Sequence, residues 1–299
     1  MTMTGSATPE QWAIRISHIL NTALGVEHFP IDVAEVAQEL SHTLFPDDPV
    51  SLIKGDALPS FEGALVRAPP GKKGWGILFS TSIASPGRIN FTLAHEFGHY
   101  LLHRLDYPNG FRCSAQDMVR WDSEFARIEH QANVFASYLL MPLDDFRKQL
   151  PLSVAPDLDL LGACAERYGV SLTAATLKWL SFTKRRAVLV LSRDGFILWA
   201  RSSNSALRTG AYIKTANRAP RPIPVMSLAA RRGEDRGSST EMELGEGVWF
   251  PCEPCTELAL ISDRYDFTIS LLHLGAALTP DHTDEDDEGL HELQAPDWT

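Results

Sequence analysis

Cysteine is scarce in this chain: four in 299 residues, at Cys113, Cys164, Cys252 and Cys255. That is too few for a disulfide framework at this length. Cys252 and Cys255 form a CxxC, but no second pair exists to complete a four-thiolate zinc site, and the βαβ context of a thioredoxin-like redox motif is missing. They read as packed loop cysteines. No uninterrupted apolar run reaches the roughly 18 residues a membrane span needs. Positive charge is also short: 27 Lys and Arg against 38 Asp and Glu leave a net charge of −11. Nucleic-acid binding draws on a basic patch, so this balance argues against a phosphate-binding surface and favours a basic protein partner. The opening MTMTGSATPE has neither the charged nor the apolar region of a secretion signal, and the cytoplasm is the expected location.

Enough apolar material is present to build a core, at 44% of residues, and the length suits about two domains at ~150 residues each. The most informative stretch is Phe91 to His103, FTLAHEFGHYLLH. It holds His95-Glu96-Phe97-Gly98-His99, an HExxH pattern. Helical residues four apart share a face, offset by about 40°. His95 and His99 can therefore aim at one tetrahedral zinc, with Zn–N bonds of about 2.0–2.1 Å. Glu96 faces differently and can reach a water in the open position as general base. The flanks Thr92, Leu93, Ala94, Phe97, Tyr100, Leu101 and Leu102 make the helix mostly buried. Buried histidines beside a Glu are costly unless paired or ligating.

A catalytic zinc needs a third protein ligand. Tyr-Leu-Leu-His after His99 excludes the HExxHxxGxxH arrangement. His103 could line the same face. A better candidate is Glu129, in the helical pattern Ile128 to Leu140 that Pro142 stops. Asn133, one turn on, is placed to hold a ligand histidine from behind. Glu124 and Asp122 are weaker rivals.

Together, FTLAHEFGHYLLH and EHQANVFASYLLMP resemble the ImmA/IrrE group of bacterial and phage metallopeptidases, strongly over residues 61–142. The resemblance implies His95, His99 and Glu129 as ligands and Glu96 as base. It implies Zn2+, with Mn2+ as the other metal to consider. It also implies site-selective cleavage of an XRE-type helix-turn-helix repressor, which would derepress stress or mobile-element genes. Relatives commonly carry Glu, Arg or Asp where this chain has His130 and Gln131, a departure that bears on local electrostatics. The alternative is an antirepressor that binds its repressor through a zincin fold without cutting it; the intact HExxH argues against that.

The expected fold class is α+β. Residues 1–150 form a zincin-like metallopeptidase domain, and 151–184 a helix-turn-helix-like segment. Residues 185–280 form a C-terminal α+β, sensor-like (GAF-like) domain, and 281–299 an acidic disordered tail. Thr8-Pro9-Glu10 should open a first helix that Gly25 closes, and Asp32 a second. Strands are expected at 62–67 and 75–80, and this hairpin could bind an extended peptide by strand addition. Arg88 follows as a surface charge. In Leu161 to Leu180 the second helix offers only Thr173, Thr176 and Lys178 to a groove, so no sequence-specific DNA binding is expected. Ala187–Ser192 and Phe196–Ala200 should pair about Arg193-Asp194-Gly195. Further strands are expected at 247–250, 258–262 and 268–274. His103, His130 and Tyr138 are candidates to stabilise an oxyanion.

Overall fold

The computed structural model describes residues 7–58, 61–111, 123–152, 154–215, 218–231, 240–262 and 267–276. Cys113, Asp122 and the tail 281–299 lie outside them. The chain divides into two compact units, Met1–Phe146 with Ala165–Ser171, and Arg147–Cys164 with Leu172–Thr299.

The first unit begins with α1 (Pro9–Leu24). Its start is a capping box: Thr8 accepts from the Gln11 N–H, and the Gln11 side chain accepts from the Thr8 N–H. Gly25, at φ 83°, ends it. Next comes α2 (Val33–Leu44), capped by Asp32 at 3.0 Å from the Glu35 nitrogen. Four strands follow around a helix: β1 (Val50–Asp56), β2 (Gly63–Arg67), β3 (Trp75–Ser80), α3 (Pro86–His103) and β4 (Gly110–Phe111). The sheet order is β1-β3-β2-β4; β1 runs parallel to β3 and the other pairs are antiparallel. β1 was not expected, because its sequence VSLIKGD buries little beyond Val50.

Pro86 supplies the first turn of α3 with a fixed φ and no N–H to lose. Ten of the helix's residues are buried, among them Glu96, His99 and His103. It lies against β2 and β3 on one side and α4 (Ser123–Leu140) on the other; α1 packs on α4 as well. Gly98 sets the closeness of α3 and α4. A β-carbon there would fall 2.9 Å from Cδ1 of Phe135 and 3.3 Å from Cα of Ala132. Pro142 ends α4, and α5 (Leu143–Gln149) follows.

Two further helices form where the helix-turn-helix-like segment was expected, α6 (Leu158–Tyr168) and α7 (Leu172–Phe182), with Gly169 at φ 61° between them. Thr173, Thr176 and Lys178 on α7 are all buried, so none is presented to a groove. The second unit is otherwise built on a six-stranded antiparallel sheet. Its strands are β5 (Ala187–Arg193), β6 (Phe196–Ser202), β7 (Arg221–Pro222), β8 (Thr240–Leu244), β9 (Cys255–Ser262) and β10 (Phe267–Leu274), in the order β7-β6-β5-β10-β9-β8. Asp194 and Gly195, at φ 52° and 81°, make the tight turn between β5 and β6. A short helix α8 (Asn204–Arg208) follows β6.

The expected strand at 247–250 does not form. Gly247 turns at φ 82°, its N–H donates to the Phe250 carbonyl, and only Phe250 and Glu253 make an isolated bridge. Trp249 and Phe250 enter the core instead, with Val188, Val190 and Leu272. Cys255 belongs to that core too, and burial pushes its thiol up to about 12, which removes it as a ready thiolate. Cys252 is exposed and unbridged.

Candidate metal centre

His95 and His99 are one turn apart on α3, and α4 brings Glu129 onto them across the helix pair closed at Gly98. Nε2 of His95 is 2.9 Å from Nε2 of His99. The Glu129 carboxylate spans both, with Oε2 at 3.2 Å from His95 and Oε1 at 3.2 Å from His99. The three side chains are 15%, 1% and 20% exposed. Among the described residues they are the group of His, Cys, Asp and Glu side chains whose atoms converge closely enough to hold a metal ion. The spacing fits one: bonds of about 2.0–2.1 Å in a tetrahedron put ligand atoms about 3.3 Å apart.

Burial and mutual contact shift the three groups in different directions. Burial pulls His99 down to about 4, against the pull of Glu129, so its imidazole is neutral near pH 7 as a ligand must be. Burial also pulls on His95, but the Glu129 carboxylate and the Asn133 contact outweigh it and raise the pKa. Burial pushes the Glu129 carboxyl up, yet the bonds from His95 and His99 hold it well below the usual carboxylate range.

Glu96 points elsewhere, as its place one residue after His95 requires. Burial pushes its carboxyl up to about 7; His95 opposes the rise, Glu129 adds to it, and a main-chain bond from Leu65 on β2 opposes it. Oε1 sits against Gly63, and Oε2 is buried with no protein partner. An unpartnered buried carboxylate oxygen beside three converging ligand atoms is where a water or substrate proton would be met.

A second layer stands behind the cluster. Nδ1 of His95 is 3.0 Å from Oδ1 of Asn133, so Asn133 stands behind a candidate ligand histidine. His103 does not join the cluster. It stands behind His99, Nδ1 to Nδ1 at 3.1 Å, and its Nε2 is 3.0 Å from Oε1 of Gln131. The i+4 spacing made His103 visible in the sequence, but nothing there marked Gln131 as its partner. Glu124 is exposed and outside the cluster. His130 is exposed and Tyr138 lies about 180° around α4 from Glu129, so neither faces the centre. His103 is turned away from the open side as well, and none of the three oxyanion candidates is in place. Arg88 is bonded to Glu62 at 2.8 Å.

A helix bearing HExxH, a carboxylate from the next helix and a mixed sheet alongside define a zincin-like domain. Residues 56–180 match the Peptidase M78 family, described as the IrrE N-terminal-like domain, which supports the expected resemblance to the ImmA/IrrE group. No curated protein matches the chain.

Proposed function

We propose that this chain is a zinc-dependent endopeptidase that cuts a specific cytoplasmic protein, an XRE-type helix-turn-helix repressor, and so derepresses stress or mobile-element genes. The observation that carries the reading is the convergence of His95, His99 and Glu129 with the unpartnered carboxylate oxygen of Glu96 beside them. The family match and the net charge of −11, suited to a basic DNA-binding partner, support the choice of substrate.

His95, His99 and Glu129 would hold the metal, whose two nitrogens and one oxygen suit zinc ahead of manganese. When bound, the ion supplies Lewis-acid polarisation of the scissile carbonyl and acidifies a water. Glu96 takes the proton from the attacking water and returns it to the leaving nitrogen as the C–N bond breaks. A pKa near neutrality suits both transfers, since the group must be a base first and an acid later. β2 ends beside Glu96, and β4 pairs with it only at Leu65 and Val66 among the described residues. Gly63 and Ala64 are thus the positions where an extended substrate would add as a strand.

The test is incubation of the zinc-loaded chain with a candidate repressor, read by intact mass. Wild type should yield two complementary fragments, and Glu96→Gln should keep its metal and yield none. Cleavage retained in Glu96→Gln would remove Glu96 from the reaction. A stable complex with an uncut repressor would favour the non-cleaving antirepressor.

A further inference from the structure

We infer that Gln131, acting through His103, sets which ring nitrogen of His99 carries the proton, and thereby whether the centre can accept a metal ion. The inference rests on the metal-binding reading of His95, His99 and Glu129 given above. Gln131 and His103 are positioning residues: neither touches the ion's place nor a reacting atom.

Three links make the case. Oε1 of Gln131 faces Nε2 of His103 at 3.0 Å. A carbonyl oxygen can only accept, so Nε2 of His103 carries the hydrogen. A neutral imidazole protonated at Nε2 has a lone pair at Nδ1. That lone pair faces Nδ1 of His99 at 3.1 Å, so the His99 hydrogen lies on Nδ1. Nε2 of His99 is then a bare lone pair. It points at Nε2 of His95 and Oε1 of Glu129, at 2.9 and 3.2 Å.

His95 follows the same logic in one step. Oδ1 of Asn133 accepts from Nδ1, which in the neutral ring puts the lone pair on Nε2. Three electron-rich atoms then converge, an arrangement that favours a cation among them.

The chain of bonds from Gln131 has a second polarity. If the amide nitrogen faced His103, Nδ1 of His103 would donate to His99. The hydrogen of His99 would then sit on Nε2 and bond to Glu129, closing the site. The two polarities need the same side-chain positions and differ only in where the hydrogens lie. The orientation of one amide on α4 makes the choice. His103 is 5% exposed and His99 1%, which keeps water from short-circuiting the relay.

The relay also ends on a neutral amide, as does the bond to His95. The second layer therefore orients both ligands without adding negative charge to that of Glu129.

The full-length protein tests this through its tautomers and its metal affinity, neither of which requires cleavage. Nitrogen-15 NMR of the histidine rings in wild type should show His103 protonated at Nε2 and His99 at Nδ1, with and without Zn2+. In Gln131→Leu, with circular dichroism unchanged, His103 should lose that preference and Zn2+ affinity by chelator competition should fall about 10- to 100-fold. Gln131→Glu, which can still accept, should restore both. Wild-type His103 protonated at Nδ1 would overturn the relay without recourse to any variant. So would Gln131→Leu binding Zn2+ within about twofold of wild type, or Gln131→Glu falling as far as Gln131→Leu. His99→Ala separates the two levels. If it loses Zn2+ while Gln131→Leu does not, only the relay fails; if it binds Zn2+ like wild type, the metal centre fails with it.

Discussion

A β-carbon on Gly63 would stand 2.6 Å from Oε1 of Glu96. The same carbon would meet Cγ2 of Thr92 at 2.7 Å. The first residue of β2 is therefore a seat for Glu96, the proposed general base, which the Leu65 main chain also bonds. Gly63→Ala should push the carboxylate aside, because the side chain can move where the strand, paired to β3, cannot. Misplacement of a reacting group by about 1 Å can cost on the order of 100-fold in rate. The expected outcome is a cleavage rate lower by tenfold or more, at an order-of-magnitude level, with metal content unchanged. Wild-type turnover in that variant would show that the seat does not position Glu96.

Gly98 is the matching device on the opposite side of α3. Its substitution to Ala must move Phe135, which is fully buried, or part the two helices. Overpacking of this kind costs about 1–3 kcal/mol. Because α4 carries Glu129 and Asn133, parting the helices also widens the ligand triangle. Gly98→Ala is expected to lower both the melting temperature of the metal-free protein and its zinc affinity. A loss of stability with affinity intact would locate the strain in Phe135 alone.

Both glycines escape a reading of the sequence that finds the three converging side chains, and the reason is physical. His95, Glu96 and His99 are constrained by local helical geometry, so their relation is written in adjacent letters. Glu129 and Asn133 repeat that logic one turn apart on a second helix, whose apolar periodicity marks its inner face and whose end Pro142 marks. Gly63 and Gly98 matter for what comes close from elsewhere in the chain, and spacing carries no trace of it. The same holds for Gln131, whose partner His103 lies on another helix. β1 is missed for a different cause: it gains its place by pairing with β3, while its own side chains are largely exposed. Residues 247–250 mislead in the opposite direction. Val248, Trp249 and Phe250 have the composition of a strand, yet burial of the two aromatics in a turn satisfies the same hydrophobic demand.

In the second unit, Glu257 is a fully buried carboxylate that accepts four hydrogen bonds. Leu228 and Ala229 donate from the main chain at 2.8 and 3.3 Å, the Trp249 indole at 3.0 Å and the Ser270 hydroxyl at 2.8 Å. It pins the turn at 228–230 and the 249 region to the sheet. Glu257→Gln replaces one accepting oxygen with a donor. Whichever way the amide lies, an N–H is left facing an N–H, a loss of about 1–3 kcal/mol. Thermal unfolding should shift down by several degrees, at ~2–4 °C per kcal/mol, while Zn2+ affinity stays at the wild-type level. An unchanged melting temperature would mean that water replaces the lost acceptor.

His273 supplies a pH dependence in the same unit. Its Nε2 is 3.0 Å from the Pro156 carbonyl, and its ring meets Trp179 edge-on at 5.6 Å. Burial holds its pKa below the ordinary 6.5 and Arg185 lowers it further; the Pro156 bond and Glu241 oppose the shift without reversing it. Above pH 6.5 the folded and unfolded chains both keep it neutral, and its contribution is fully present. As pH falls below 6.5 the unfolded chain binds a proton that the folded chain still refuses, so stability declines until the lower folded pKa is passed. His273→Gln can keep a donor to Pro156 and has no proton to gain. Denaturant melts of the two proteins across pH 5 to 8, on the order of the His titration range, should therefore diverge on the acid side. Wild type should lose stability relative to His273→Gln there and hold a constant difference above neutrality. Parallel curves over the whole range would show that His273 titrates alike in the folded and unfolded chains.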